Sequence, residues 1–169
     1  MSAYCLKTDL WQDFQQFRKE AEEYAAAGNA RSKNRCLRAG LLCLYAHTEG
    51  VISDVILKMG LDEKLLRGAF LKQCEAIETY LKDSGKTPPS FRDFGKAIRN
   101  TIAHPGEDKD HGLPFSELTL AALDDFEKGI SGWLDFVCSS TGVGRFSDTK
   151  KPVEDFTAAL GGGGGVQEV

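Results

Sequence analysis

From Asn29 to Gly60 the chain places Leu37, Leu41, Leu44, Thr48, Val51, Val55 and Met59 at three- and four-residue steps. Side chains so spaced share one face of a helix, so this stretch predicts a long amphipathic helix that must bury its stripe against partners. The partners are legible on both sides. Leu6, Leu10, Phe14, Phe17, Ala21 and Tyr24 repeat at the same steps and stop near Gly28, and Asn29 can cap the long helix. Asp62 precedes a third pattern, Leu65, Ala69, Cys74, Ile77 and Leu81, which reaches the loop-like stretch KDSGKTPP. Ser90, with Asp93 three residues on, opens a fourth pattern of Phe91, Phe94, Ile98 and Ile102. Pro105 ends it, because proline removes a backbone donor and turns the preceding residue out of helical space. Ser116 can cap a fifth pattern of Leu123, Phe126, Ile130, Trp133 and Val137. No segment sustains the period-two alternation of a strand, so the expected architecture is all-α, an antiparallel bundle of four to five helices.

With 169 residues, 41% apolar and 27% charged, the chain is long enough for one domain with a core and too hydrophobic to be wholly disordered. From Ser139 onward, five consecutive glycines and scattered apolar residues cannot sustain that core. The bundle is therefore assigned to residues 1–140 and a flexible Gly-rich C-terminal tail to residues 141–169. The start, MSAYCLKTDLWQDF, has no basic region followed by an apolar core, and no uninterrupted apolar run approaches a membrane span. A cytoplasmic protein with no membrane partner is expected. Cys5, Cys36, Cys43, Cys74 and Cys138 are odd in number and form no C-x-x-C pair, which suits reduced core thiols. A net charge of −4 does not mark the whole molecule as a polyanion binder, so a nucleic-acid role needs a local basic patch. RSKNRCLR supplies one, with Arg31, Lys33, Arg35 and Arg38 in eight residues and no acid between them.

The chemistry-bearing stretch is AIRNTIAHPGEDKDHG, Ala97 to Gly112. Asn100 and His104 are four apart, hence neighbours on a helical face turned away from the Phe94, Ile98 and Ile102 stripe. Arg99, five residues from His104, is poorly spaced for contact within one helix. A histidine near a helix C-terminus feels the negative end of the dipole and can give and take protons near neutrality. Arginine suits a phosphate or its pentavalent transition state, and an amide can position either group. Together Arg99, Asn100 and His104 are what metal-free RNA cleavage requires: a base, an acid and charge stabilisation at phosphorus. The plain alternative is an arginine paired with a surface acid, a polar helix residue and a capping histidine.

RNTIAH resembles the Arg-polar-x-x-x-His signature of the HEPN superfamily, all-α domains many of which are metal-independent endoribonucleases and toxins. LLCLYAHTEGVISDVI is similar to the second-helix segment of a prokaryotic HEPN ribonuclease branch, and the resemblance covers about residues 37–106. It implies that Arg99, Asn100 and His104 are the catalytic set. It also implies a homodimer with a composite site, in which Arg99 of one chain meets His104 of the other. RNA is then the substrate, and a cognate antitoxin or inhibitor a partner. Two positions depart from the family: Pro105 stands where glycine more often follows the histidine, and Gly106 replaces the tyrosine that one branch has modified by a nucleotidyltransferase.

Glu49, in the second-helix segment, can orient His104 or Arg99, or can equally be a surface or helix-pairing acid. His47 projects differently and is expected to pack or make a polar contact. Arg31, Lys33, Arg35, Arg38 and Lys96 are candidate RNA contacts. The basic run opposes the dipole at the start of its helix, a cost that bound phosphates or Glu20, Glu22 and Glu23 of the preceding helix would offset. His104, Glu107, Asp108, Asp110 and His111 could ligate a metal, but their spacing fits neither an EF-hand nor a zincin, so neither metal nor cofactor is expected. Two other functions keep the bundle without chemistry: a nucleotide-, RNA- or protein-binding module, and a structural adaptor.

Overall fold

The computed structural model describes residues 3–4, 6–89, 118–146 and 151–152. Four α-helices run through them: α1 (Leu6–Ala26), α2 (Ala30–Lys58), α3 (Phe70–Asp83) and α4 (Leu120–Thr141). A short 3-10 helix, Glu63–Arg67, joins α2 to α3. Two-residue strands, β1 (Ala3–Tyr4) and β2 (Lys151–Pro152), pair antiparallel with Ala3 opposite Pro152. The fold is thus all-α with a minimal ladder at its edge. The fourth sequence pattern, with Lys96, Arg99, Asn100 and His104, lies outside the described residues.

The turn between α1 and α2 is three residues long and forces the two helices into an antiparallel hairpin. Gly28 takes φ 70°, a left-handed conformation that a Cβ would strain, and Asn29 Oδ1 accepts from Ser32 N at 3.0 Å. Helix α2 is the centre of the molecule. Leu37, Leu41, Leu44, Val51, Ile52, Val55 and Ile56 are all fully buried, so the helix is covered over a wider arc than the single stripe anticipated. That breadth explains a second property: by length and composition α2 passes as a membrane span, which a search for uninterrupted apolar runs overlooks. Over half of the qualifying window is buried inside the bundle.

Helix α4 lies against the hairpin. At Gly40 an added Cβ would sit 3.5 Å from Phe17 Cβ and 3.6 Å from Leu123 Cδ2, so α1, α2 and α4 meet closely there. Arg18 grips Asp124 with two hydrogen bonds of 2.5 and 2.9 Å, tying α1 to α4. Buried Trp133 donates its Nε1–H to Glu78 at 3.1 Å and ties α4 to α3.

Three expectations change. Asp62 caps the 3-10 helix, accepting from Lys64 N at 2.9 Å, while Gly68 breaks the chain before α3 begins at Phe70. Thr119 caps α4, its hydroxyl accepting from Ala122 N at 3.1 Å; Ser116 lies outside the described residues. Packing also continues past the boundary drawn at residue 140. Gly142 closes α4 at φ 67°, Val143 is buried, and Arg145 and Phe146 fold back onto α1. Apart from β2, the remainder of the assigned tail lies outside the described residues.

Candidate functional site

The segment LLCLYAHTEGVISDVI occupies the middle and second half of α2, and its two chemistry-bearing residues face opposite ways. Glu49 is exposed. With Ser53 one turn further on, it borders a polar cleft of about 190 Å³ that also touches Leu66, Gly68, Phe70 and Gln73. Gln73 is buried, and its Nε2–H donates to the Leu65 carbonyl at 2.7 Å, which fixes the short 3-10 helix as one wall. Glu49 therefore sits at an accessible edge, as an orienting carboxylate or a pairing acid would.

His47, 200° further round the helix by geometry, is fully buried. Its Nδ1 lies 2.9 Å from the Lys7 carbonyl oxygen, which can only accept, so Nδ1 carries the proton. Nε2 is then the acceptor, and Arg145 Nε–H approaches it at 3.4 Å. The ring lies against Trp11 at 5.2 Å and stacks on Phe146 at 5.6 Å. Burial lowers the His47 pKa to about 4, and the positive charges of Arg145 and Lys7 act in the same direction. A neutral, sealed imidazole with both nitrogens engaged is a structural lock. Sequence reasoning anticipated packing for His47 but missed the residues that seal it. Arg145 stacks 4.4 Å from the Trp11 ring centroid, pairs with Asp135 at 2.8 Å and bonds Ser131 at 2.8 Å. No local signal marked Arg145 and Phe146, because they follow the polar and glycine-rich stretch SSTGVG after the apolar residues of α4.

At the other end of α2 the basic run is laid out on the first turns. Arg31 and Arg35 are exposed and Lys33 half-buried, and none of the three has an ion-pair partner among the described residues. For Arg31, Lys33 and Arg35, offset by the acids of α1 does not occur as direct pairing among the described residues. Glu22 pairs with Arg18 at 3.2 Å and Glu23 with Lys19 at 3.9 Å, both within α1. Glu20 instead accepts from Gln16 Nε2 at 2.8 Å and from the buried Cys36 thiol at 3.6 Å. Arg38, half-buried, has its own contacts.

Cys36, Cys43 and Cys138 are free thiols, and burial raises all three above the ordinary thiol value. Among the described residues no three His, Cys, Asp or Glu side chains are grouped to hold a metal ion; the loop from His104 to His111 lies outside them. Compared with known proteins, the chain matches no family model, no characterised protein and no solved structure.

Proposed function

We propose that this chain is a metal-independent endoribonuclease of the HEPN type, a cytoplasmic homodimer that serves as a toxin or phage-defence effector under the restraint of a partner. The observation that carries it is the motif Arg99-Asn100-x-x-x-His104 at the predicted end of a helix. An all-α bundle supports the reading, as does the resembling second-helix segment on α2 with Glu49 at an accessible edge. In the proposed chemistry a histidine takes the ribose 2′-hydroxyl proton while the 2′-oxygen attacks phosphorus. The bond from phosphorus to the 5′-oxygen breaks, and that oxygen receives a proton. A 2′,3′-cyclic phosphate and a 5′-hydroxyl result. Arg99 stabilises the charge at phosphorus, Asn100 positions it, and His104 moves the proton.

The test is cleavage of end-labelled mixed RNA in EDTA by the wild type and by His104→Ala, with analysis of the termini. Cyclic-phosphate products that fall by about 10²- to 10⁴-fold in the variant are expected. Full activity in the variant sinks the assignment of His104. A non-catalytic RNA-binding module is the second reading, favoured by the cations Arg31, Lys33 and Arg35 on α2, which have no ion pair among the described residues. A folded wild-type dimer that binds RNA and never cuts it selects that reading.

A further inference from the structure

A cleft of about 310 Å³ opens between the second half of α1 and the first turns of α2, at the small end of the roughly 300–1,000 Å³ range of ligand pockets. Phe17, Glu20 and Tyr24 line it from α1, at spacings that share one helical face, while Ser32, Arg35 and Cys36 line it from α2. Glu20 is the unusual member. Its neighbours in sequence, Glu22 and Glu23, are each neutralised by a cation, whereas Glu20 has no ion pair among the described residues. It is held in place by two neutral donors, the Gln16 amide and the Cys36 thiol. Burial and the adjacent carboxylate raise Cys36 above the ordinary thiol value, which keeps the thiol protonated and donating. The result is a half-buried carboxylate, fixed in orientation by neutral donors, on the same helix face as two aromatic side chains and in the same cleft as an arginine.

Such a lining suits a ligand with a flat π face, two adjacent N–H donors in the plane of the ring, and an anionic group. Among the four RNA bases only guanine presents two adjacent donors, N1–H and N2–H, on its Watson–Crick edge, and a carboxylate accepts both side by side. Aromatic side chains stack unpaired bases, and arginine takes a phosphate. We infer that the cleft between α1 and α2 is a guanine-nucleotide subsite: Glu20 reads the base edge, Tyr24 and Phe17 cover the ring, and Arg35 holds the phosphate. The subsite stands independently of the nuclease reading.

The full-length chain is titrated by calorimetry with GMP, AMP, CMP and UMP, and its fold is checked by circular dichroism. GMP is expected to bind at least about tenfold more tightly than AMP, the worth of one hydrogen bond to a charged acceptor. Glu20→Gln, nearly isosteric, abolishes that preference while retaining the helical spectrum. Arg35→Ala weakens GMP and leaves guanosine unchanged. Equal binding of the four nucleotides, no GMP binding by the folded wild type, or undiminished guanine preference in Glu20→Gln overturns the inference. A 2′-O-methyl UpGpU trinucleotide, which cannot be cleaved by 2′-hydroxyl attack, separates the sources of the ligand. Tighter binding than GMP assigns the subsite to an RNA strand, and weaker binding assigns it to a free nucleotide. Because no step reads cleavage, loss of the nuclease reading leaves this result standing, and the converse holds too.

Discussion

The two ends of the α1–α2 hairpin solve the same problem in opposite ways. Near the turn, Glu20 of α1 meets Cys36 of α2 beside an open cleft, held by neutral donors alone. Some three turns away, His47 of α2 meets the Lys7 carbonyl of α1, and Trp11, Arg145 and Phe146 close over it. At the closed end burial has driven the titratable group to its neutral form and satisfied both nitrogens. At the open end the ionisable group is fixed but still available to solvent. A polar residue at a helix interface is thus locked into packing where the fold seals it and stays reachable where a cleft lies beside it.

Substitutions can break that contrast, and the largest effect lies in the core that underlies both ends. Leu44 is fully buried on α2, and Leu44→Ala is expected to cost about 2–5 kcal/mol in urea unfolding. His47 comes next. Its folded pKa of about 4 lies below the ordinary 6.5, so acid protonates the unfolded chain first. Stability from this group is complete above about pH 6.5 and declines as the pH falls toward 4, by about 3 kcal/mol in all. In His47→Gln the difference between unfolding free energies at pH 7 and pH 4.5 should shrink by most of that amount; an unchanged slope would show that His47 is not the group responsible.

Arg145→Ala removes a stacked guanidinium and leaves the His47 Nε2 acceptor without its donor, with an expected loss of about 1–3 kcal/mol. NMR titration should also show the imidazole pKa rising, since a nearby positive charge is gone. At the open end Arg35→Ala should change stability by no more than about 0.5 kcal/mol, because an exposed cation without a described ion pair supports little. A loss of several kcal/mol there would make the basic run part of the scaffold and erase the contrast.

Helical stripes were readable in the sequence because they depend on local spacing, and the stops at Gly28 and Gly60 because left-handed backbone favours glycine. Asn29 was readable as a cap for the same local reason. The break at Gly68 was less so, since Leu65 and Ala69 sit in register with the α3 stripe although they belong to a tighter turn and a linker. Arg145 was invisible as a packing residue: its partners Trp11 and His47 are remote in sequence, and only the tertiary fold converts a charged residue after α4 into a cover for the core. For the site, the sequence distinguished His47 from Glu49 by helical direction, and the structure buries the first and exposes the second. It could not foretell that Glu20 would have no ion pair among the described residues, because Arg18 and Lys19 choose among three nearby acids by geometry.

Gly50 lies directly beside this region of α2. A Cβ added there would fall 2.9 Å from Lys7 Cγ, so the lysine stem crosses the helix where α2 has no side chain, and its ammonium reaches Asp54. The missing carbon works as a notch that indexes α1 against α2. A side chain at position 50 must push the lysine stem aside and so disturb its reach to Asp54, while the Lys7 carbonyl stays bonded to His47. One hydrogen in place of a methyl group thereby sets the alignment of two partners 47 residues apart.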